Sequence, residues 1–233
     1  MLRPWPLQVA PLKRITSRDL MLATSAKVPF SSQGWIFELK YDGFRILASR
    51  RGQRVRLESR NGRDMTAEFP ELAAAMRTLR YDVVIDGELV ICDPRGCPQF
   101  SRLGQRARLR RPDRIGVAAV KDPAAIFAFD LLELDGEDYR GYPLVIRKGM
   151  LQQAVSGSER IIYAGHFENS AAELWALAKK FELEGIVAKD GSSPYAAGRS
   201  TRWQKIKTQL GAERERKRRP ATGRTKPREA RGV

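Results

Sequence analysis

Strand-like segments arrive in adjacent pairs along this chain, and that order constrains the fold more than any other feature. The first pair consists of WIFELKYDGFRILASR, residues 35–50, and RVRLESR, and a turn at Arg51-Gly52-Gln53 joins them. Alternating side chains and glycine turns are typical of consecutive antiparallel strands. Further strand patterns occupy residues 81–93, 124–136, 161–168, 185–190 and 202–207. We predict an α+β fold of antiparallel β-sheets with flanking helices, rather than a doubly wound parallel sheet.

Helical periodicity separates these strands, after an extended lead-in over residues 1–34. Apolar residues recur at helical spacing in TAEFPELAAAMRTL, residues 66–79, where Thr66 is placed to cap the helix. The segment NSAAELWALAKKFELEG, residues 169–185, begins with an Asn/Ser cap and also predicts a helix. The arginine-dense residues 99–114 and the segment PLVIRKGMLQQAV, residues 143–155, complete the predicted helices.

A net charge of +16 on 233 residues exceeds what solubility requires and indicates a polyanionic partner such as nucleic acid. Residues 211–233, GAERERKRRPATGRTKPREARGV, hold nine Lys/Arg against three Asp/Glu. We therefore divide the chain into one domain, residues 1–210, and a basic tail, residues 211–233, that its composition predicts to be disordered. Residues 1–210 keep a net charge of +10, so the predicted domain is basic as well.

Two cysteines and one histidine restrict the available chemistry. Cys92, Cys97 and His166 supply fewer than the four ligands of a structural zinc site. Catalysis by a Ser/His or Cys/His pair is disfavoured, because His166 is the only histidine that could act as its base. We expect both cysteines to be reduced in a cytoplasmic protein, and we expect no membrane association because no apolar run approaches the roughly 20 residues of a membrane span.

Charged residues recur where these strands would be expected to bury apolar side chains. Glu38, Lys40 and Asp42 alternate with apolar residues, so they are predicted to share one strand face. The charged groups of the strands are Lys40/Asp42/Arg45, Asp86/Glu88, Glu184/Lys189 and Lys205/Lys207. Each group alone fits a strand with one face in solvent, whereas together they predict a cleft lined by lysines and carboxylates.

Such a cleft suits phosphate chemistry. Lysine and arginine bind phosphate oxygens, while carboxylates repel them unless a divalent cation lies between. The mixture indicates phosphoryl or nucleotidyl transfer with Mg²⁺. A lysine amine attacks only when it is neutral, and neighbouring cations favour that form. Lys40, which is followed by Asp42 and Gly43, is the candidate nucleophile.

The segment LKYDGFR, residues 39–45, resembles the K-x-D-G-x-R signature of the covalent nucleotidyltransferases, the superfamily of DNA ligases, RNA ligases and mRNA capping enzymes. The phrases FDLLELDG, LEGIVAKD and SPYAAGRSTRWQKIK are most similar to bacterial ATP-dependent DNA ligases of the end-joining type. The resemblance implies the ATP-grasp-like nucleotidyltransferase fold of DNA ligases. Its further motifs are ESRNG at 58–62, DGELV at 86–90, FAFDLLELDG at 127–136, EGIVAK at 184–189 and WQKIK at 203–207.

The resemblance implies a role for each matching position. Lys40 attacks the α-phosphate of ATP, expels pyrophosphate and carries AMP as a phosphoamide. AMP then passes to a 5′-phosphate, and attack by a 3′-hydroxyl seals the nick in double-stranded DNA. The other implied roles are Glu38 and Phe129 at adenine, Arg45 and Arg60 at ribose, phosphates or the 5′-phosphate of the nick, Glu88 at ribose or a metal, Glu184 at Mg²⁺ or Mn²⁺, Lys189, Lys205 and Lys207 at the α-phosphate, Arg199 at nucleic acid or phosphate, and Trp203 in packing.

Ligases of this family continue past the WQKIK motif into an OB-fold domain. Residues 208–233 are too few for a five-stranded barrel, so we expect a partner chain or another repair protein to supply it. Capping enzymes and NAD-dependent ligases fit less well, because the former lack the SPYxxGR segment and the latter carry a zinc module. Two alternative functions stay open. One is an RNA ligase or RNA end-modifying nucleotidyltransferase, and the other is a non-catalytic protein that binds nucleic-acid ends. We expect the protein in the cytoplasm, associated with the nucleoid when it is bound to DNA.

Overall fold

The computed structural model describes residues 14–218, which form two β-sheets, six α-helices and a short 3₁₀ turn at Ser17–Asp19. The strands are β1 (Met21–Ser25), β2 (Ser31–Lys40), β3 (Phe44–Arg51), β4 (Arg54–Ser59), β5 (Val83–Val90), β6 (Ala125–Leu134), β7 (Glu137–Asp138), β8 (Ile161–Tyr163), β9 (Phe167–Ser170), β10 (Gly185–Asp190) and β11 (Gly198–Lys207). The helices are α1 (Pro70–Thr78), α2 (Phe100–Arg106), α3 (Pro112–Lys121), α4 (Leu144–Ala154), α5 (Ala172–Lys180) and α6 (Gln209–Arg218).

Most neighbouring strands of the two sheets are antiparallel. The first sheet has the order β1-β11-β10-β2-β9, and the second has the order β4-β3-β5-β6-β7 with β8 beside β6. Within the described residues, only β1 with β11 and β6 with β8 pair in parallel. The prediction of an α+β fold with antiparallel sheets and flanking helices is confirmed.

Three apolar cores hold these elements together. The first core packs β3, β4, β5 and β6 of the second sheet against α1, α2 and α4. The second contains Met21 of β1 and Trp203 of β11 together with Leu47 of β3 and Leu132 of β6, so it fastens the two sheets to each other. The third packs β2, β10 and β11 against α5. Burial of this apolar surface is the main favourable term in holding the two sheets side by side.

Residues 41–43 carry the chain from the first sheet into the second. β2 ends at Lys40 and pairs with β10, whereas β3 pairs with β4 and β5. A Cβ on Gly43 would lie 2.3 Å from the carbonyl oxygen of Leu89, so the crossing requires glycine. The unbroken strand pattern predicted for residues 35–50 is wrong here, because period-2 alternation does not reveal a change of sheet. The predicted turn at Gly52 is confirmed between β3 and β4.

Two predicted helix caps are wrong, although the helices themselves form. α1 begins at Pro70, and Thr66 instead binds the edge strand β4 by accepting a hydrogen bond from Leu57 N at 2.9 Å. α5 begins at Ala172 after Ala171, which provides no side-chain cap, because residues 169 and 170 end β9. The arginine-dense segment forms two helices, α2 and α3, rather than one.

The predicted disordered tail begins with a helix. α6 covers Gln209–Arg218, and Thr208 Oγ1 caps it by accepting from Gly211 N at 3.1 Å. Arg214 fixes the same helix by donating to the carbonyl oxygen of Glu182 at 3.1 Å. Disorder is therefore the wrong prediction for residues 211–218, and residues 219–233 lie outside the described part of the chain. Among residues 14–218, no helix is long and apolar enough to cross a membrane.

Candidate active site

Side chains from both sheets line a cleft of about 590 Å³. All the site residues predicted from the sequence lie around it, namely Glu38, Lys40, Arg45, Arg60, Glu88, Phe129, Glu184, Lys189, Arg199, Lys205 and Lys207, together with Trp203. Two other expected members do not. Asp42 follows the end of β2 and lines a separate cavity of about 120 Å³, and Asp86 is completely buried. The charged cleft exists, while the roles of its residues stay predictions.

Strand register brings the candidate nucleophile beside its first partner. β10 lies between β2 and β11, so that Gly185 pairs with Lys40 on one side and Lys207 on the other. Glu184 immediately precedes Gly185, and its Oε2 lies 2.8 Å from Lys40 Nζ while its Oε1 lies 2.8 Å from Lys207 Nζ. Only glycine fits at position 185, where φ is +150° and a Cβ would lie 2.1 Å from Ile206 O. One carboxylate thus holds two amines at the cleft wall.

A second carboxylate, from α6, extends this row of charges. Lys207 Nζ also lies 3.1 Å from Glu215 Oε1, and the Glu215 side chain is 47% exposed. Burial alone lowers the pKa of Lys207, but the hydrogen bonds and charges of Glu184 and Glu215 raise it above its ordinary value. Burial and the neighbouring Lys207 and Lys40 ammonium groups lower the pKa of Lys205. The row runs Lys40, Glu184, Lys207, Glu215, and anions that enter the cleft compete with its carboxylates for the two amines.

Glu88 is half-buried, and its carboxyl group has a raised pKa. Burial raises the pKa of Glu88 to about 7, with the charges of Glu184 and Asp86 adding to the rise and those of Lys40 and Arg45 opposing it. A carboxyl group with this pKa is partly protonated at neutral pH. A cation that binds to Glu88 therefore displaces a proton.

Replacing Glu88→Gln should stabilise the protein at alkaline pH. The pKa of Glu88 is about 7 in the folded chain against an ordinary 4.5, so the folded state binds more protons between these values. Stability contributed by Glu88 is consequently lost as the pH rises from about 4.5 to about 7, and stays lost above. The free energy of unfolding of the glutamine variant should exceed that of the parent by about 1 kcal/mol at pH 8, and the two should be equal near pH 4.5.

Thermal unfolding at both pH values measures this effect, with the exposed Glu173→Gln on α5 as the charge-matched control. Equal or lower melting temperatures of Glu88→Gln at pH 8 would contradict the expected cost of ionising Glu88.

Glu38 lies at the back of the cleft between two lysines. Its Oε1 is 2.6 Å from Lys148 Nζ, and its Oε2 is 2.7 Å from Lys189 Nζ. Burial alone raises the pKa of Glu38, but the charges and hydrogen bonds of Lys148 and Lys189 bring it below its ordinary value. Lys148 was missed in the sequence, because it lies on α4 and is 110 residues from its partner; its only signal there is a basic pair inside an apolar helix.

The aromatic wall of the cleft consists of Phe129 and Trp203. Phe129 is half-buried: it packs against the core between the sheets and also lines the cleft. Lys189 Nζ lies 4.2 Å from the Phe129 ring centroid and 4.3 Å from that of Trp203. Burial lowers the pKa of Lys189, and its charge is held by the two rings and by Glu38.

The buried Asp86 carboxylate holds Arg45 in place, which explains why Asp86 is absent from the cleft. Arg45 Nε and Nη2 donate to the two oxygens of Asp86 at 3.0 and 2.5 Å, and Tyr195 donates to the same carboxylate at 2.6 Å. Asp86 is thus the buried counterion of Arg45 rather than a cleft ligand. Arg60 and Arg199 lie at the cleft rim and are exposed, where they are free to meet an anionic polymer.

The carboxylates of the cleft suit a magnesium ion that is shared with a substrate. Within residues 14–218 no three His, Cys, Asp or Glu side chains are grouped to hold a metal by themselves. Glu88 and Glu184 line the same cleft and their charges interact, since Glu184 raises the pKa of Glu88. Mg²⁺ commonly binds through one or two carboxylates plus substrate phosphates and water, so this pair fits that mode of binding.

The sequence matches one family model over most of its length. The model, described as ATP dependent DNA ligase domain, matches residues 20–207. Over 181 residues the chain is 35% identical to the multifunctional non-homologous end joining DNA repair protein LigD of Mycobacterium tuberculosis, covering 77% of this chain and 22% of that protein. Over 161 residues it is 39% identical to DNA ligase C of the same organism, covering 66% of this chain and 44% of that protein. The chain therefore spans less than half the length of these relatives.

Solved structures give the same result for the fold. A mycobacterial DNA ligase D complexed with ATP and MES is 33% identical, with a TM-score of 0.68 over 82% of this chain and 60% of that one. The ligase domain of M. tuberculosis LigD gives a TM-score of 0.69 at 33% identity, over 82% of this chain and 59% of that one.

Proposed function

This chain belongs to the ATP-dependent DNA ligase domain family, and we propose from that premise that it forms a covalent lysyl-AMP on Lys40 and transfers AMP to a 5′-phosphate so that a DNA nick is sealed. The observation that carries the proposal is the cleft row in which Glu184 holds Lys40 and Lys207 at 2.8 Å each. An amine beside further cations matches a nucleophile that attacks a phosphate.

The first chemical step follows from this row. The Lys40 ammonium gives a proton to water, its nitrogen attacks the α-phosphorus of ATP, and the bond to the departing pyrophosphate breaks as the nitrogen–phosphorus bond forms. Glu184 orients the Lys40 amine, while Lys205 and Lys207 stabilise the charge that develops on the α-phosphate oxygens. Glu88 and Glu184 would hold Mg²⁺ or Mn²⁺, which neutralises phosphate charge when bound.

Base and DNA recognition use the remaining walls of the cleft. The Phe129 ring offers a stacking surface for adenine, and Glu38 offers carboxylate oxygens to the 6-amino group of adenine. Arg45 would meet ribose, phosphates or the 5′-phosphate of the nick, and Lys189 would meet the α-phosphate once Glu38 receives the base. Arg60 and Arg199 on the rim would contact the phosphates of nicked double-stranded DNA, and such contacts make binding weaken as salt rises.

The relatives suggest the pathway. Because LigD is named as an end-joining repair protein, we propose the same pathway for this chain, in the cytoplasm and on the nucleoid when bound to DNA. The resemblance implies an OB-fold working with this domain. Adenylylation without sealing would therefore point to a partner chain or another repair protein that supplies it.

Covalent labelling tests the proposal. The protein is incubated with Mg²⁺ and either ATP or GTP labelled at the α-phosphate, and acid-stable label on the protein is measured. Label from ATP alone supports the proposal, whereas label from GTP alone indicates a capping-type enzyme. Transfer to nicked DNA but not to nicked RNA selects a DNA ligase over an RNA ligase. Absence of label, together with no sealing of a pre-adenylylated nick, would refute catalysis and leave end binding.

Glu215→Gln is expected to lower the KM for ATP about two- to fivefold. The Glu215 carboxylate contacts Lys207 at 3.1 Å and competes with the triphosphate for that amine, but it is 47% exposed and therefore weakly held. The KM of lysyl-AMP formation measures the effect, and Glu213→Gln on the same helix is the control, since Glu213 bonds Gln209 instead. An unchanged KM in Glu215→Gln would show that α6 does not compete with ATP.

A further inference from the structure

Lys148 is completely buried behind the cleft and belongs to none of the motifs that carry the family resemblance. It projects from α4, its Nζ lies 2.6 Å from Glu38 Oε1 and 2.9 Å from the carbonyl oxygen of Ala164, and its side chain is 1% exposed. The ammonium also faces the Tyr163 ring, 4.6 Å from the centroid. Lys148 is not among the side chains that line the cleft, although its partner Glu38 is.

This contact determines which Glu38 atoms remain for a ligand. Lys148 occupies Oε1, so the carboxylate is fixed in one orientation with Oε2 at Lys189, whose ammonium lies over the Phe129 ring. A buried carboxylate that keeps a buried counterion stays ionised. An ionised carboxylate only accepts hydrogen bonds, and the 6-position of adenine donates while that of guanine accepts.

We propose that Lys148 is a positioning residue that makes the cleft select adenine by holding Glu38 as a fixed, ionised acceptor for the 6-amino group. This inference rests on the proposed function, because it assigns the source of its nucleotide selectivity. Lys148 touches neither the base nor the phosphates and acts through Glu38 alone. Without it, Lys189 holds Glu38 at Oε2 alone, so the carboxylate is no longer fixed from both sides and most of the distinction between a donor and an acceptor at the 6-position is lost.

The experiment compares ATP with purine riboside triphosphate, which lacks only the 6-amino group. In the parent protein, removing that group should reduce kcat/KM for covalent modification by roughly ten- to a hundredfold, because a buried acceptor is left without its donor. In Lys148→Met the same change of nucleotide should reduce kcat/KM by less than about threefold. The loss in Lys148→Met should appear as a raised KM for ATP with little change at saturating ATP. Intact-protein mass spectrometry measures both modifications.

Controls separate positioning from stability. Arg106→Met removes another buried cation, paired with Glu71 at 2.9 Å and remote from the cleft, so it should destabilise the fold without altering the ratio of the two nucleotides. Lys148→Gln keeps one donor for Glu38 and should give an intermediate ratio, which also serves if Lys148→Met does not fold. A preference for ATP of about threefold or more in Lys148→Met, or a preference in Lys148→Gln equal to that of the parent, would overturn the proposal.

The proposed function and this inference fail in distinguishable ways. If the parent protein forms no covalent adduct with ATP, autonomous adenylylation fails, and the role of Lys148 is then decided by equilibrium binding of the same two nucleotides. Binding is followed by the change in tryptophan fluorescence, to which Trp203 in the cleft contributes. Preferential binding of ATP that disappears in Lys148→Met supports the role of Lys148. Equal binding of both nucleotides by the parent protein, or a preference unchanged in the variant, refutes it.

Discussion

Lys40→Ala is expected to abolish covalent attachment of AMP, reducing it at least a thousandfold. The side chain supplies the nitrogen that forms the phosphoamide bond, and no alanine atom can replace it. Acid-stable label from α-labelled ATP, with intact-protein mass spectrometry, measures the adduct. Sealing of a nick that already carries AMP on its 5′-phosphate should be retained better than adenylylation, because the third transfer no longer needs the amine as a nucleophile.

The neighbouring lysines make the control informative. Lys205 and Lys207 lie in the same cleft, and Lys207 shares Glu184 with Lys40, so a misassigned nucleophile would be one of these two. Lys121→Ala at the exposed end of α3 should leave labelling unchanged. Peptide mapping that places AMP on Lys205 or Lys207, or label that persists in Lys40→Ala, would contradict the assignment of Lys40.

The cleft was predictable because it depends on strand register. Lys40, Glu184 and Lys207 lie at or beside the ends of three strands that pair directly, and period-2 alternation keeps such residues on a shared face. Positions of this kind can be read from the sequence once the strands are recognised. The misplacement of Asp42 has the same origin, since alternation was extended past Lys40, where β2 ends.

Contacts that join distant elements could not be predicted in this way. Asp86 occupies the β5 position expected to reach the cleft, yet it is turned beneath Arg45 by contacts with Arg45 and with Tyr195, which lies 109 residues away. Lys148 reaches Glu38 from a helix packed on the other sheet. Helix periodicity gives the face of α4 that is buried, but not which buried carboxylate a lysine on that face will meet. These pairings depend on tertiary packing, which local patterns do not encode.

The residue next to Lys148 forms the most deeply buried ion pair of the described chain. Arg147 Nε and Nη2 donate to the two oxygens of Asp130 at 2.7 and 2.8 Å, with both side chains 0% exposed. Its remaining nitrogen donates to the carbonyl oxygens of Tyr142 and Ser193, at 2.5 and 2.8 Å. Ser193 begins the segment that carries Tyr195 to Asp86. Arg147 therefore joins the second sheet to the loop that leads to the cleft rim.

Arg147→Met should destabilise the fold by about 3–5 kcal/mol, because it leaves the Asp130 carboxylate buried without its counterion. The double variant Arg147→Met/Asp130→Leu should recover part of that loss, since it removes the unpaired charge but not the unmet carbonyls of Tyr142 and Ser193. Urea unfolding measures all three free energies. Arg140→Met, whose partner Asp138 is 30% exposed, should cost less than about 1 kcal/mol. If Arg147→Met cost no more than Arg140→Met, the pair would contribute no more than a surface ion pair, and the rim loop would have to be held by its apolar contacts alone.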